Sequence, residues 1–170
     1  MLKIFDDLEP FFTDNYRRIN VREYARMMNI TPPTASKLLA TYRDKGLINK
    51  EEDRNYIFYA ANAENILFVH LSRVYWYLQL KKAGITDYLE KELTAPLAIL
   101  FGSYSKAEVT KDSDIDIAIF TASQRAINMA HIEKKMNRKI HLFMFKKRDD
   151  VENPELLNNI LNGFILLGRW

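Results

Sequence analysis

The chain has 170 residues, is 48% hydrophobic and 28% charged, and carries a formal net charge of +3. That is the composition of a globular protein long enough for one core or two small ones, and it excludes a disordered chain. Cysteine is absent, which excludes disulfides, thiolate metal sites and a cysteine nucleophile. No run of about 18 apolar residues is present to span a membrane. The opening MLKIFDDLEPFF sets acids inside its apolar pattern and lacks a basic start, so no signal peptide is expected and the cytoplasm is the expected compartment. Residues 1–82 hold 13 Lys and Arg against 10 Asp and Glu, a small excess that permits nucleic-acid binding without predicting it.

In chain order, Leu2–Phe12 has helical spacing, with Ile4, Phe5, Leu8 and Phe12 on one side. Asn20 is placed to cap a short helix over Val21–Met28, and Asn29-Ile30 makes a turn. Thr31 is expected to cap a second helix beginning at Pro32-Pro33, where missing N–H groups cost nothing. There Ala35, Leu38, Leu39 and Tyr42 form the expected buried stripe, and Gly46 ends the helix. LINK and NYIFYAA then read as two strands joined by EEDR.

Two helices with a tight turn, followed by a small hairpin, resemble the winged helix-turn-helix. The resemblance implies that the Pro32–Lys45 helix enters the major groove of double-stranded DNA. Thr34, Ser36, Lys37 and Thr41 would face bases and phosphates, with Arg43 and Lys45 near the backbone. A helical hairpin that packs on its neighbours or recognises protein is the other reading. The acids at the expected wing tip, Glu51-Glu52-Asp53, favour it, because a wing lying along phosphates would be basic.

A long helix is predicted over Ala63–Ala83, stopped at Gly84, with Leu67, Leu71, Val74 and Leu78 at seam-like spacing. Phe68, Val69, Trp76 and Leu80 lie on its other faces, so burial on most sides and a homodimer through residues 63–83 are expected. An internal, domain-bridging helix explains the same pattern. Thr86–Leu93 is a second short helix, and Pro96 marks a boundary.

The stretch LAILFGSYSKAEVTKDSDIDIAIF carries the chemistry. Leu97–Phe101 reads as a buried strand ending at Gly102, Tyr104–Ser113 as a loop, and Asp114–Phe120 as a strand with Ile115, Ile117 and Ile119 on one face. Asp114 and Asp116 share the other face. Carboxylates two apart on a strand lie about 7 Å from each other and repel by roughly 2 kcal/mol at an effective dielectric of about 20. Such a pair wants a cation, and hard oxygen ligands favour Mg2+ or Mn2+. Gly102 lets a polyanion approach the backbone, where N–H groups and the Ser103 hydroxyl can hold phosphate oxygens.

Gly-Ser, a spacer of about ten residues, then Asp-hydrophobic-Asp resembles the signature of the DNA polymerase β-type nucleotidyltransferase superfamily, whose smaller members are minimal nucleotidyltransferases. The resemblance implies that Gly102 and Ser103 hold the phosphates of an NTP and that Asp114 and Asp116, the catalytic pair, bind the metal. Where family members often read Ala-Arg-Gly after Gly-Ser-x, this chain reads Ser105-Lys106-Ala107; Lys106 keeps the charge and joins the nucleotide-binding set, while Ala107 replaces a glycine. Asp112 matches no catalytic position.

Active members also carry a third carboxylate on a later strand. A helix capped by Ser123 is predicted over Ser123–Asn137, then a strand over Arg138–Phe145, in which His141 stands closest to that position. No acid occurs between Glu133 and Asp149, so no shift of register restores one. His141 either ligates a metal, for which Mn2+ or Zn2+ suits imidazole better than Mg2+, or is a hydrogen-bonded structural residue. Pro154 opens a helix over Glu155–Asn162, and FILLG closes the domain.

The expected fold class is α+β in two domains: a winged helix-turn-helix over 1–62, linking and dimerisation helices over 63–95, and a nucleotidyltransferase-like mixed sheet over 96–170. The expected function is DNA binding with nucleotide and Mg2+ held by a transferase domain of low or no activity. The alternative is an active enzyme moving NMP from an NTP to a hydroxyl of a protein or small molecule, including an antitoxin-like role on a protein partner.

Overall fold

Phe5, Leu8, Phe11 and Phe12 recur at helical spacing and form the buried side of α1 (Lys3–Thr13) in the computed structural model, which describes residues 2–123 and 125–170. Asn20 Oδ1 accepts from the Glu23 N–H at 2.9 Å and opens α2 (Val21–Met28), and Asn29 closes it in the left-handed conformation with φ 53°. Thr31 is the N-cap residue of α3 (Pro32–Asp44), but its hydroxyl pairs with that of Thr34 at 2.9 Å. The first two helical positions are prolines, which leaves only the Thr34 N–H for a cap, and the expected side-chain cap does not form. Ala35, Leu39 and Tyr42 are buried as expected, whereas Leu38 is only half-buried.

Gly46, at φ +69°, turns the chain into a hairpin of β1 (Ile48–Asp53) and β2 (Tyr56–Ala61). The expected four-residue EEDR connection is corrected here. Glu51, Glu52 and Asp53 belong to β1, and the turn is Arg54-Asn55, both left-handed. A two-residue turn of that kind matches the twist of paired strands. Arg18 answers two of the acids, with Nε 2.7 Å from Glu51 and Nη1 3.4 Å from Asp53, and lies over the Phe58 ring.

Contacts divide the chain into two compact units, Met1–Leu71 with Ala107–Lys111, and Ser72–Lys106 with Asp112–Trp170. α4 (Ile66–Ala83) runs from one into the other. It starts three residues later than the spacing suggests because Asn65 Oδ1 accepts from the Leu67 N–H at 2.8 Å. Phe68, Val69, Trp76 and Leu80 are buried, while Ile66, Leu67 and Val74 lie open in the single chain. Gly84, at φ +94°, turns α4 into α5 (Ile85–Glu92).

The second unit is built on a mixed four-stranded sheet in the order β5-β4-β3-β6. β3 (Leu97–Phe101) pairs antiparallel with β4 (Ile115–Phe120) and with β6 (Phe164–Leu167), and β4 pairs parallel with β5 (Ile140–Phe145). All five residues of β3 are buried, as a central strand covered on both faces requires. On one face the register makes successive rows across β3, β4 and β5: Leu97, Phe120 and Phe145; Ile99, Ala118 and Phe143; Phe101, Asp116 and His141. The apolar rows pack with Val151 and with Leu156, Leu157 and Ile160 of α8 (Pro154–Leu161). Only the last row turns polar.

Between β4 and β5 the predicted helix over 123–137 is corrected to α7 (Ala130–Met136); at position 124 that prediction lies outside the described residues. Ser123 Oγ accepts from the Arg125 N–H at 3.4 Å, well before the helix, while Asn128 Oδ1 takes the Ala130 N–H at 2.9 Å where it begins. Among the described residues no helix is long and apolar enough to cross a membrane.

Candidate functional site

Asp116 is the second residue of β4, opposite Phe101 on one side and His141 on the other. Directly after Phe101 the chain turns through Gly102, at φ +69°, into the short helix α6 (Ser103–Lys106). A Cβ at Gly102 would stand 2.8 Å from Asp116 Oδ2. Two features therefore ask for glycine there, a left-handed backbone and a carboxylate in the space a side chain would need.

The carbonyl of Gly102 accepts from the Ser105 N–H at 3.1 Å and from Ser105 Oγ at 2.9 Å. Because a trans peptide holds its C=O and N–H on opposite sides, the Ser103 N–H is turned away from that contact. Three further side chains steady the ends of the loop. Arg73 Nε donates to the Ser105 carbonyl at 2.7 Å, and the Tyr104 hydroxyl and Arg138 Nη1 each donate to the Ser113 carbonyl at 3.1 Å. Burial pushes the Tyr104 hydroxyl up to about 12, so it stays a donor. Sequence reasoning singled out neither Arg73, inside α4, nor Arg138, between α7 and β5; neither carries a local signal of the carbonyl it will meet.

His141 faces both acids. Its Nδ1 is 3.4 Å from Asp116 Oδ1 and its Nε2 is 3.9 Å from Asp114 Oδ2. Burial raises the Asp116 carboxyl above its ordinary range; His141 opposes that shift and the neighbouring Asp114 adds to it. Asp149 and Asp150 follow β5 at its other end, where Asp150 accepts from the Lys146 and Lys147 N–H groups at 3.2 Å each. They do not reach back to the polar row. Lys106 extends to Asn159 Oδ1 at 3.1 Å.

The donor set decides what this row can hold. Asp114 and Asp116 supply hard anionic oxygens at the mouth of one strand, which suits a single divalent cation. His141 directs a different nitrogen at each acid and does not converge with them. Among the described residues no group of three histidine or acidic side chains is gathered to hold an ion. The row thus fits one cation on two acids and does not fit the pair of ions that two-metal transfer uses.

Residues 83–169 match the family model described as Polymerase beta, Nucleotidyltransferase. The chain belongs to that family. The match spans the whole sheet, and with it Gly102, Ser103, Asp114, Asp116 and His141. No curated protein matches the chain. The nucleotidyltransferase domain therefore presents the Gly-Ser turn and both acids together, with an imidazole beside Asp116.

The other predicted set lies on α3. Thr34, Ser36, Lys37, Thr41 and Arg43 are all exposed. Thr41 Oγ1 donates to the Lys37 carbonyl at 2.9 Å, and Arg43 is paired with the adjacent Asp44 at 2.6 Å; among the described residues the Lys37 ammonium has no ion-pair partner.

Proposed function

We propose that the second unit binds a nucleoside triphosphate together with one divalent cation, and that its transfer activity is low because an imidazole replaces the third carboxylate. The observation that carries this reading is the polar row, where the register sets Asp116 beside Gly102 and opposite His141. Gly102 and Ser103 would receive the phosphates, and Asp114 and Asp116 would hold the cation, whose chemistry when bound is to neutralise phosphate charge. His141 brings no negative charge to that task. It would also compete for the two carboxylates when protonated.

Calorimetric titration of ATP with Mn2+ or Mg2+ tests the reading. Wild type is expected to bind, and an Asp114→Ala/Asp116→Ala variant to bind at least about tenfold more weakly, as for loss of charge-assisted contacts. Absence of binding in wild type, or equal binding in the variant, removes the acids from this role. Transfer of labelled AMP to a protein or small-molecule hydroxyl would favour the active-enzyme alternative.

For the first unit we propose a winged helix-turn-helix that binds double-stranded DNA through α3. The support is the exposed face of Thr34, Lys37 and Thr41, which lie one turn apart, together with the hairpin that follows. Arg18 compensates the acids of β1, so the hairpin opposes phosphates less than its sequence suggests. Lys37→Ala should weaken binding across DNA sequences and reduce the salt slope by about one phosphate's worth. An unchanged slope takes Lys37 out of the interface.

A further inference from the structure

Asn15 follows α1 and is buried, at 6% exposure. Its side-chain amide donates to the Phe11 carbonyl at 2.7 Å, its Oδ1 accepts from the Val109 N–H at 2.6 Å, and its own N–H donates to the Val109 carbonyl at 2.7 Å. Val109 is itself fully buried. Both residues belong to the first unit. Yet Val109 lies in the spacer between Gly102-Ser103 and Asp114, so the chain leaves the second unit after Lys106 and returns to it at Asp112.

The excursion is short and held at both ends. Arg73 grips the Ser105 carbonyl before it, and Tyr104 and Arg138 grip the Ser113 carbonyl after it. Only five residues, 107–111, make the excursion, and at about 3.5 Å each they reach no more than about 18 Å. Ala107 begins the excursion in the left-handed conformation at φ 57°. A purely apolar anchor would tolerate a one-residue slip. Asn15 would not, because a slip would leave the Val109 N–H and carbonyl buried without partners.

We propose that Asn15 is a positioning residue for the nucleotide site: by holding both backbone groups of Val109 it sets the spacer whose ends are the Gly102-Ser103 turn and the Asp114–Asp116 pair. This rests on the nucleotide reading above. Covalent continuity alone carries the effect, and linkage makes it reciprocal, so a ligand that orders the turn and the acids also steadies the contact in the first unit.

Amide hydrogen exchange on the full wild-type chain, with and without ATP and Mn2+, is the direct test, followed by the ATP affinity of Asn15→Ala well below its melting temperature. The Val109 amide is expected to exchange more slowly with nucleotide present, and the variant to bind ATP about fivefold or more weakly. A merely structural Asn15 would lower the melting temperature and move neither readout. Clear ATP binding with no change at Val109 overturns the proposal, even if the variant fails to fold, and so does an unchanged affinity in a folded variant. No ATP binding by wild type overturns the nucleotide reading itself, and this proposal with it.

Discussion

Asp7, in the first unit, is buried against Tyr42, whose hydroxyl donates to its Oδ2 at 2.6 Å, and it accepts from Lys3 Nζ at 3.2 Å. Its backbone carbonyl takes the Tyr24 hydroxyl at 2.8 Å. Burial, with the Asp7 charge, pushes both tyrosines far above their ordinary range and keeps them as donors. Asp116, in the second unit, is also partly buried, yet its neighbours are another acid, a glycine without a side chain and a histidine charged only when protonated. One carboxylate is supplied with donors by its own fold. The other is placed where its charge is disfavoured, at the open end of a sheet whose remaining rows are apolar. An acid of the first kind serves stability; an acid of the second kind adds none, which is what makes it a candidate for binding.

Removing the charge should separate the two acids most sharply. Asp7→Asn weakens a charge-assisted hydrogen bond from Tyr42 and leaves an amide short of acceptors, at an expected cost of about 2 kcal/mol in chemical denaturation. A cost near zero would remove Asp7 from the supports of α1 and α3. Gly102→Ala comes next. It forces alanine to φ +69° and a Cβ against Asp116 Oδ2, so a loss of roughly 1–2 kcal/mol and weaker ATP binding are expected. A variant that melts like wild type and binds ATP as well would show that the turn does not need its open space.

Asp116→Asn should have the smallest effect and the opposite sign. The folded pKa of Asp116 is raised, so its penalty is complete above that pKa, fades as pH falls through it, and is gone below the unfolded value of about 3.9. The asparagine variant is therefore expected to be slightly more stable near neutral pH, with the gain vanishing in acid. Thermal melts at several pH values check this. A loss of stability at neutral pH would mean that the His141 contact outweighs burial, and the contrast with Asp7 would dissolve.

Several elements were legible because their ends are written in side chains. Asn20, Asn29, Gly46 and Pro154 mark boundaries of α2, α3 and α8 through caps and restricted backbone angles, which act within a few residues. The alternation in DIDIAIF works the same way, and Ile115–Phe120 emerges as β4. The misread stretches are those without such marks. EEDR resembles a loop by charge, but strand pairing draws its acids into β1. Ser123 resembles a cap, but Asn128 is the residue that meets the helix.

Residue identity alone set out the chemistry available to this protein: a Gly-Ser turn, two acids at alternate positions, and no acid within the next strand. Those features are short-range, fixed by residue identity and by the two-residue period of a strand. Only the tertiary structure decided that His141 lies opposite Asp116, that Arg73 holds the turn, that Arg18 answers the acids of the hairpin, and that Val109 is gripped by Asn15. Each of these joins residues far apart in the chain. Strand register and the pairing of buried polar groups select among such partners, and neither can be read from a local window.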